Sequence, residues 1–182
     1  TPHAVIGTLD PTLQDVRISK DLKDTFIIRR GGTEIIIQEG RLLNREVLSS
    51  GTADGIDVAM FLAAIIARES TFYYCDEHFS YIQSDIEKRI FGIMLDRLGN
   101  NEQLIFTTHN TDMLDLNLPK HSYIFLRKQQ EDGIYNVSAI SASEVLKRNT
   151  DSIRNAVEND IFASLPQDSL LDELEMGWAN EQ

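Results

Sequence analysis

Three short stretches hold the residues whose types and spacing suit chemistry on a phosphate. In Phe72-Tyr73-Tyr74-Cys75-Asp76-Glu77 a short apolar run stops abruptly on two carboxylates. A magnesium ion takes oxygen ligands and keeps several waters, so Asp76 at a strand end suits holding it indirectly. Glu77, one residue on, suits a base that orients or deprotonates an attacking water. In Leu48-Ser49-Ser50-Gly51-Thr52 two hydroxyls and a glycine stand before an Ala/Ile/Leu/Met-rich segment. The unpaired N–H groups and positive dipole end of a helix starting there suit an anion. In Thr107-Thr108-His109-Asn110 an imidazole again follows an apolar run, where it suits hydrogen bonding to a terminal phosphate.

Each pattern also has an ordinary explanation. Acids at a strand end face solvent in many proteins, and Ser49 or Ser50 before a helix is a common N-cap. The order of the three, and the elements beneath them, carry more than any one alone. Thr71 to Cys75 and Gln103 to Thr108 read as strands. Between them Ser84-Asp85-Ile86-Glu87 reads as a capping box opening a helix with apolar Ile86, Ile90, Ile93, Met94 and Leu98, closed by Gly99. A strand-helix-strand unit of this length implies a right-handed parallel crossover. Thr52 to Glu69, apolar on nearly all sides after its first turn, reads as a buried helix. Before it, apolar β-branched runs at Val16 to Ser19, Phe26 to Arg29 and Thr33 to Gln38 are β-like, the last two joined at Gly31-Gly32 as a hairpin. Ser122 to Arg127 and Ile134 to Ile140 form a second hairpin through Glu131-Asp132-Gly133. The fold class is therefore α/β, with parallel strands, flanking helices and antiparallel β-hairpins.

The chain has 182 residues, 42% hydrophobic and 25% charged, the composition of a globular domain with one sizeable core. No apolar run approaches the roughly 20 residues that span a bilayer, and Thr1-Pro2-His3 opens no secretory signal, so a cytoplasmic protein without a membrane partner is expected. Cys75, the single cysteine, sits in an apolar run as a small buried hydrophobe. The net charge is −12, with no basic stretch beyond pairs such as Arg127-Lys128, so any DNA contact must lie in other regions. Eight acidic residues and one basic fall in 151–182, an acidic tail with helical stretches near Asp151 to Phe162 and Asp168 to Met176.

The order of these motifs resembles the C-terminal lobe of ABC-type P-loop NTPase heads, closest to the AAA-labelled, SMC/RecF/OLD-like prokaryotic ATPases of DNA-repair and phage-defence systems. Leu48 to Thr52 looks like the signature motif, Asp76 and Glu77 like the Walker B pair and His109 like the switch histidine. Leu9-Asp10-Pro11-Thr12-Leu13 is similar to the segment that precedes the signature there. The resemblance implies ATP and Mg2+ as cofactors, with Asp76 on the metal and Glu77 and His109 catalytic for nucleotide bound in cis. Ser49, Ser50, Gly51 and Thr52 would close over the phosphate bound in trans across a head-to-tail homodimer. It also implies a domain plan of 1–47 leading into the signature, 48–150 as the ATPase lobe and 151–182 as tail, with a DNA or defence effector engaged through other regions. Two departures stand out. Gln83 occupies the usual His or Asp position of the D-loop, and no G-x-x-x-x-G-K-[ST] phosphate loop occurs. An N-terminal Walker A lobe preceding residue 1 is therefore the expected partner, and the isolated chain is expected to be inactive. The alternative is a non-catalytic, partner-binding or regulatory module of the same kind. A metal-dependent nuclease would need further carboxylates converging on Asp76 and Glu77, and the nearest, Asp112 and Asp115, read more simply as the first turn of a short helix.

Overall fold

A computed structural model describes residues 7, 13–131, 134–148 and 150–164. The expected helix at Asp168 to Met176 and the segment Leu9 to Thr12 lie outside the described residues. The chain divides into two compact units, Thr1–Asn110 and Thr111–Gln182.

The first unit opens with an antiparallel meander of β1 (Leu13–Ile18), β2 (Thr25–Arg30), β3 (Thr33–Gln38) and the two-residue β4 (Arg41–Leu42). The hairpin at Gly31-Gly32 forms as expected, with Arg30 opposite Thr33, and Gly31 takes the left-handed conformation such a turn requires. Beyond β4 the edge of β3 is finished by a side chain. Asn44 Oδ1 accepts from the Ile36 N–H at 3.0 Å while its Nδ2 donates to the Glu34 carbonyl at 2.8 Å. Ile28, Ile35 and Ile37 turn inward from this sheet and pack with Ile56 and Ala59 of α1 (Ser50–Ala67).

On its other side α1 supplies Val58, Leu62 and Ile65 to a second cluster with Tyr73, Cys75, Phe79, Ile90 and Met94. Lying between two apolar clusters is why the helix is apolar nearly all round. At 18 residues and mean hydropathy 1.4 it is long and apolar enough to cross a membrane by length and composition. That corrects the expectation that no segment comes close. Its first turns are tied by ionic contacts, Arg45 reaching Asp57 at 2.5 Å and Asp54 at 2.9 Å. The Asp57 hydrogen bond is the largest cause raising the Arg45 pKa.

The parallel unit follows as β5 (Phe72–Asp76), α2 (Ser84–Arg97) and β6 (Gln103–Thr107), with Phe72 opposite Gln103 and Asp76 opposite Thr107. Tyr73 and Cys75 alternate inward and Phe72 and Tyr74 outward, the period-2 pattern of a strand. The capping box does not form. Helix α2 begins at Ser84 with Gln83 as N-cap and no side-chain cap bond, and the Ser84 and Glu87 side chains are directed to Asn110 and Thr108 instead.

The second unit holds the hairpin of β7 (Ile124–Glu131) and β8 (Ile134–Ser141), then α3 (Ala142–Val145) and α4 (Ile153–Glu158). Its core is Ala142, Leu146, Ala156, Val157 and Phe162, with Phe125 stacked on Phe162 at 4.0 Å between ring centroids. Asp112 and Asp115 fall in a 3-10 turn, Thr111–Asp115. Arg154 grips Asp115 at 2.6 and 2.7 Å and donates to the Thr111 carbonyl at 3.1 Å.

Candidate functional site

The parallel pairing brings the ends of β5 and β6 together, so that residues 31 apart in sequence share one edge. Thr107 bridges the two acids. Its hydroxyl donates to Asp76 Oδ1 at 2.6 Å and accepts from the Glu77 N–H at 3.1 Å, and its carbonyl accepts from the same N–H at 3.2 Å. Glu77 leaves the strand in the left-handed region, with φ of 50°. Its carbonyl accepts from the Ser80 hydroxyl at 2.8 Å, so the turn is held on both sides. Beneath it Phe79 is buried against Phe106 at 5.2 Å, and Phe106 against Phe91 at 4.7 Å. An aromatic floor thus supports the acidic turn.

The turn directs the Glu77 side chain toward His109, whose Nδ1 lies 4.0 Å from Oε2. Both side chains are more than half exposed, so the pair contributes at most about 1 kcal/mol of stability. Glu77 and His109 line a cleft of about 230 Å³ whose inner wall includes Ser84, Glu87, Thr108 and Asn110. A larger cleft of about 640 Å³ lies in the second unit among Leu116, Lys120, Lys147 and Ile153. It contains none of the sequence-predicted residues, whereas the smaller cleft is lined by Glu77 and His109 and is the candidate site on that ground.

Asp76 faces outward beside Tyr74. Desolvation first, then the negative charge and hydrogen-bonding capacity of Asp76, and then Glu77, push the Tyr74 phenol above its usual pKa. One Asp76 oxygen is committed to Thr107. Among the described residues no three His, Cys, Asp or Glu side chains gather as a metal cage. That donor set fits an ion such as magnesium, which is held by one or two carboxylates and keeps its remaining ligands as water and phosphate oxygens. It does not fit a dedicated all-protein site.

Ser49, Ser50, Gly51 and Thr52 are not among the residues that line this cleft and stand at the N-terminus of α1. Ser49 is the N-cap, accepting from the Thr52 N–H at 3.3 Å and sharing a hydrogen bond with the Thr52 hydroxyl at 2.9 Å. Thr52 is buried, whereas Ser50 is exposed. A Cβ at Gly51 would meet only Tyr81, at 3.8 Å, an ordinary contact. The paired strand ends therefore bring Asp76, Glu77 and His109 to one edge, while Ser49 to Thr52 stand at the start of α1 and are not among the residues that line the cleft.

Sequence reasoning missed the Thr107 bridge, Tyr74 and the buried Glu87. A signal for Glu87 was present, an acid at a helical position otherwise facing inward with Ile90 and Met94, but the capping pattern accounted for it locally.

No family model matches the chain, and no curated protein does. Among solved structures the chain is similar to an SMC head in a crystal structure of that head bound to the C-terminal winged-helix domain of ScpA. The two share 16% identity at a TM-score of 0.48, over 80% of this chain and 43% of the other, so this chain spans less than half the length of that one.

Proposed function

We propose that the chain is the C-terminal part of an ATP-hydrolysing head of the ABC/SMC-like kind, with residues 48–150 as its core and a Walker A lobe of the same protein as its partner. One observation carries the reading. The in-register ends of β5 and β6 set Asp76, Glu77 and His109 on one edge, with Thr107 bridging the two acids. Asp76 would hold magnesium through its outward oxygen, and the ion, when bound with nucleotide, would neutralise charge on the phosphates. Glu77 takes the proton of the attacking water. Its left-handed backbone, fixed from Thr107 and Ser80, aims the carboxylate away from the strand and toward the cleft. His109, exposed at the mouth of that cleft, hydrogen-bonds the terminal phosphate and senses its loss. Ser50 and Gly51, with the first-turn N–H groups of α1, meet the phosphate held by a second copy, while Ser49 and Thr52 fix the cap that orients them.

The test is ATP turnover by the full-length protein. Glu77→Gln is expected to lower kcat by at least about 100-fold while ATP binding persists and a nucleotide-bound dimer accumulates. Turnover at the wild-type rate would sink the role given to Glu77.

A non-catalytic, partner-binding module is the second reading, favoured by the Ser49 hydroxyl being committed to its own helix cap. Full-length protein that binds no Mg-ATP in calorimetry would decide for it.

A further inference from the structure

The cleft behind His109 contains a group that the proposed chemistry does not use. Glu87, on the first turn of α2, is 2% exposed and is the only acid among the buried polar residues described. Its two oxygens divide between the residues that flank the histidine. Oε1 accepts from the Thr108 hydroxyl at 2.9 Å, and Oε2 accepts from Asn110 Nδ2 at 2.5 Å. Asn110 Nδ2 also donates to the Ser84 hydroxyl at 3.0 Å, one turn earlier on the same helix, and the Asn110 N–H donates to Thr108 Oγ1 at 3.0 Å. The loop is thus closed on itself and tied to α2 on either side of His109, whose own side chain stays 70% exposed.

We propose that Glu87 is a positioning residue for His109, a buried carboxylate clamp that fixes the backbone of 108–110 and so holds the imidazole near Glu77. A buried carboxylate is costly unless its lone pairs are met by donors. Here the donors come from the one loop whose geometry the histidine depends on. An acid in the first turn also suits the helix dipole, but Asp85 meets that need from an exposed position, whereas Glu87 is buried on the face that carries Ile90, Phe91 and Met94. The clamp also joins the stretch that leaves the Glu77 turn, through Ser84, to the stretch that carries His109. A shift on one side is therefore felt on the other. The catalytic meaning of the clamp rests on the role proposed for His109, whereas its geometry does not.

The test separates the two. In the chain as it stands, the ring resonances of His109, assigned against His109→Gln, are followed by NMR. Glu87→Ala is expected to move them to the values of a freely rotating exposed histidine and sharpen them. Glu87→Gln, whose amide can pair with a reoriented Asn110, keeps them within a small fraction of that shift. Thr108→Val, close in shape but lacking the hydroxyl that donates to Glu87 and accepts from the Asn110 N–H, moves them part of the way and covers the case in which Glu87→Ala does not fold. Unchanged His109 resonances in Thr108→Val and in folded Glu87→Ala would overturn the clamp. In the full-length protein, Glu87→Ala is expected to reduce kcat by about 10- to 100-fold with little change in KM, and Glu87→Gln to restore it to within a few-fold. A protein without turnover whose His109 resonances still move on Glu87→Ala removes the proposed ATPase and leaves the clamp standing.

Discussion

Replacing Glu77 by glycine should stabilise the first unit relative to replacing it by alanine, the reverse of the usual order. Both substitutions remove the carboxylate and its 4.0 Å contact with His109, so that loss cancels between them. What remains is the backbone. With φ of 50°, residue 77 sits in a conformation that costs an L-residue about 1–2 kcal/mol and glycine almost nothing. Glycine gives back about 0.5–1 kcal/mol through the entropy of the unfolded chain. The hydrogen bonds at its N–H and carbonyl hold the conformation in place, so alanine cannot relax out of it. Glycine is therefore favoured by about 0.5–1 kcal/mol, or roughly 2–8 °C in melting temperature for a unit of this size. Asp76 is the internal control. It lies in extended strand, and there glycine should be less stable than alanine by about the entropy term alone. Thermal unfolding by circular dichroism of the four variants reads both differences. If glycine is the less stable substitution at both positions, residue 77 is not strained and the account of how its carboxylate is aimed fails. A positive outcome would make Glu77 a residue held against its backbone preference, as functional positions often are, with Glu77→Gly more stable than Glu77→Ala and equally without turnover.

Other outcomes follow from the same contacts. Thr107→Val keeps shape but removes the bridge between Asp76 and Glu77. Because the Thr107 carbonyl still accepts from the Glu77 N–H, stability should fall by only about 1 kcal/mol, while turnover of the full-length protein falls about 10-fold or more. Phe162 is fully buried and stacked on Phe125, so Phe162→Ala should cost about 3–5 kcal/mol. A two-stranded hairpin is marginal without packing, so amide exchange in β7 and β8 should accelerate by about 100-fold or more while α1 amides are unchanged; equal acceleration in α1 would show that the two units do not unfold separately. Burial pushes the Cys75 thiol up to about 11 from an ordinary 9.0. The folded state binds the proton more tightly than the unfolded one, so this contribution to stability is complete below about pH 9 and is lost as pH rises through 11. Cys75→Ala, though less stable overall, should lack that alkaline decline, and alkylation of Cys75 at pH 8 should require unfolding.

How much was legible depended on whether a signal was local. The hairpin at Gly31-Gly32, helix α1 and the β5-α2-β6 unit each follow from a period or a turn that a few neighbouring residues specify, and each stands within one or two residues of its expected bounds. Short β4 was not legible, because its continuation as the Asn44 side chain bonded to Glu34 and Ile36 is a contact across ten residues with no periodic trace. The apolar character of α1 was read correctly as burial, yet its reason, a cluster on each flank, appears only once the meander and the parallel unit are both in place.

Ser84 and Glu87 are the instructive failure. The capping-box pattern is satisfied in sequence, and in an isolated helix each side chain would serve the helix's own first turn. In the folded chain the same two side chains face Thr108 and Asn110, donors that no local rule can see, because those two residues come more than twenty positions later in the chain. Long-range hydrogen bonds to a buried carboxylate outweigh a solvent-exposed cap, since leaving Glu87 unpaired in the interior costs more than leaving a helix end to water. The misread cap and the clamp on His109 are thus the same fact. Where a pattern with a sufficient local explanation is overridden by the fold, the overriding contact marks what holds the site in place, and here it lies directly behind the histidine.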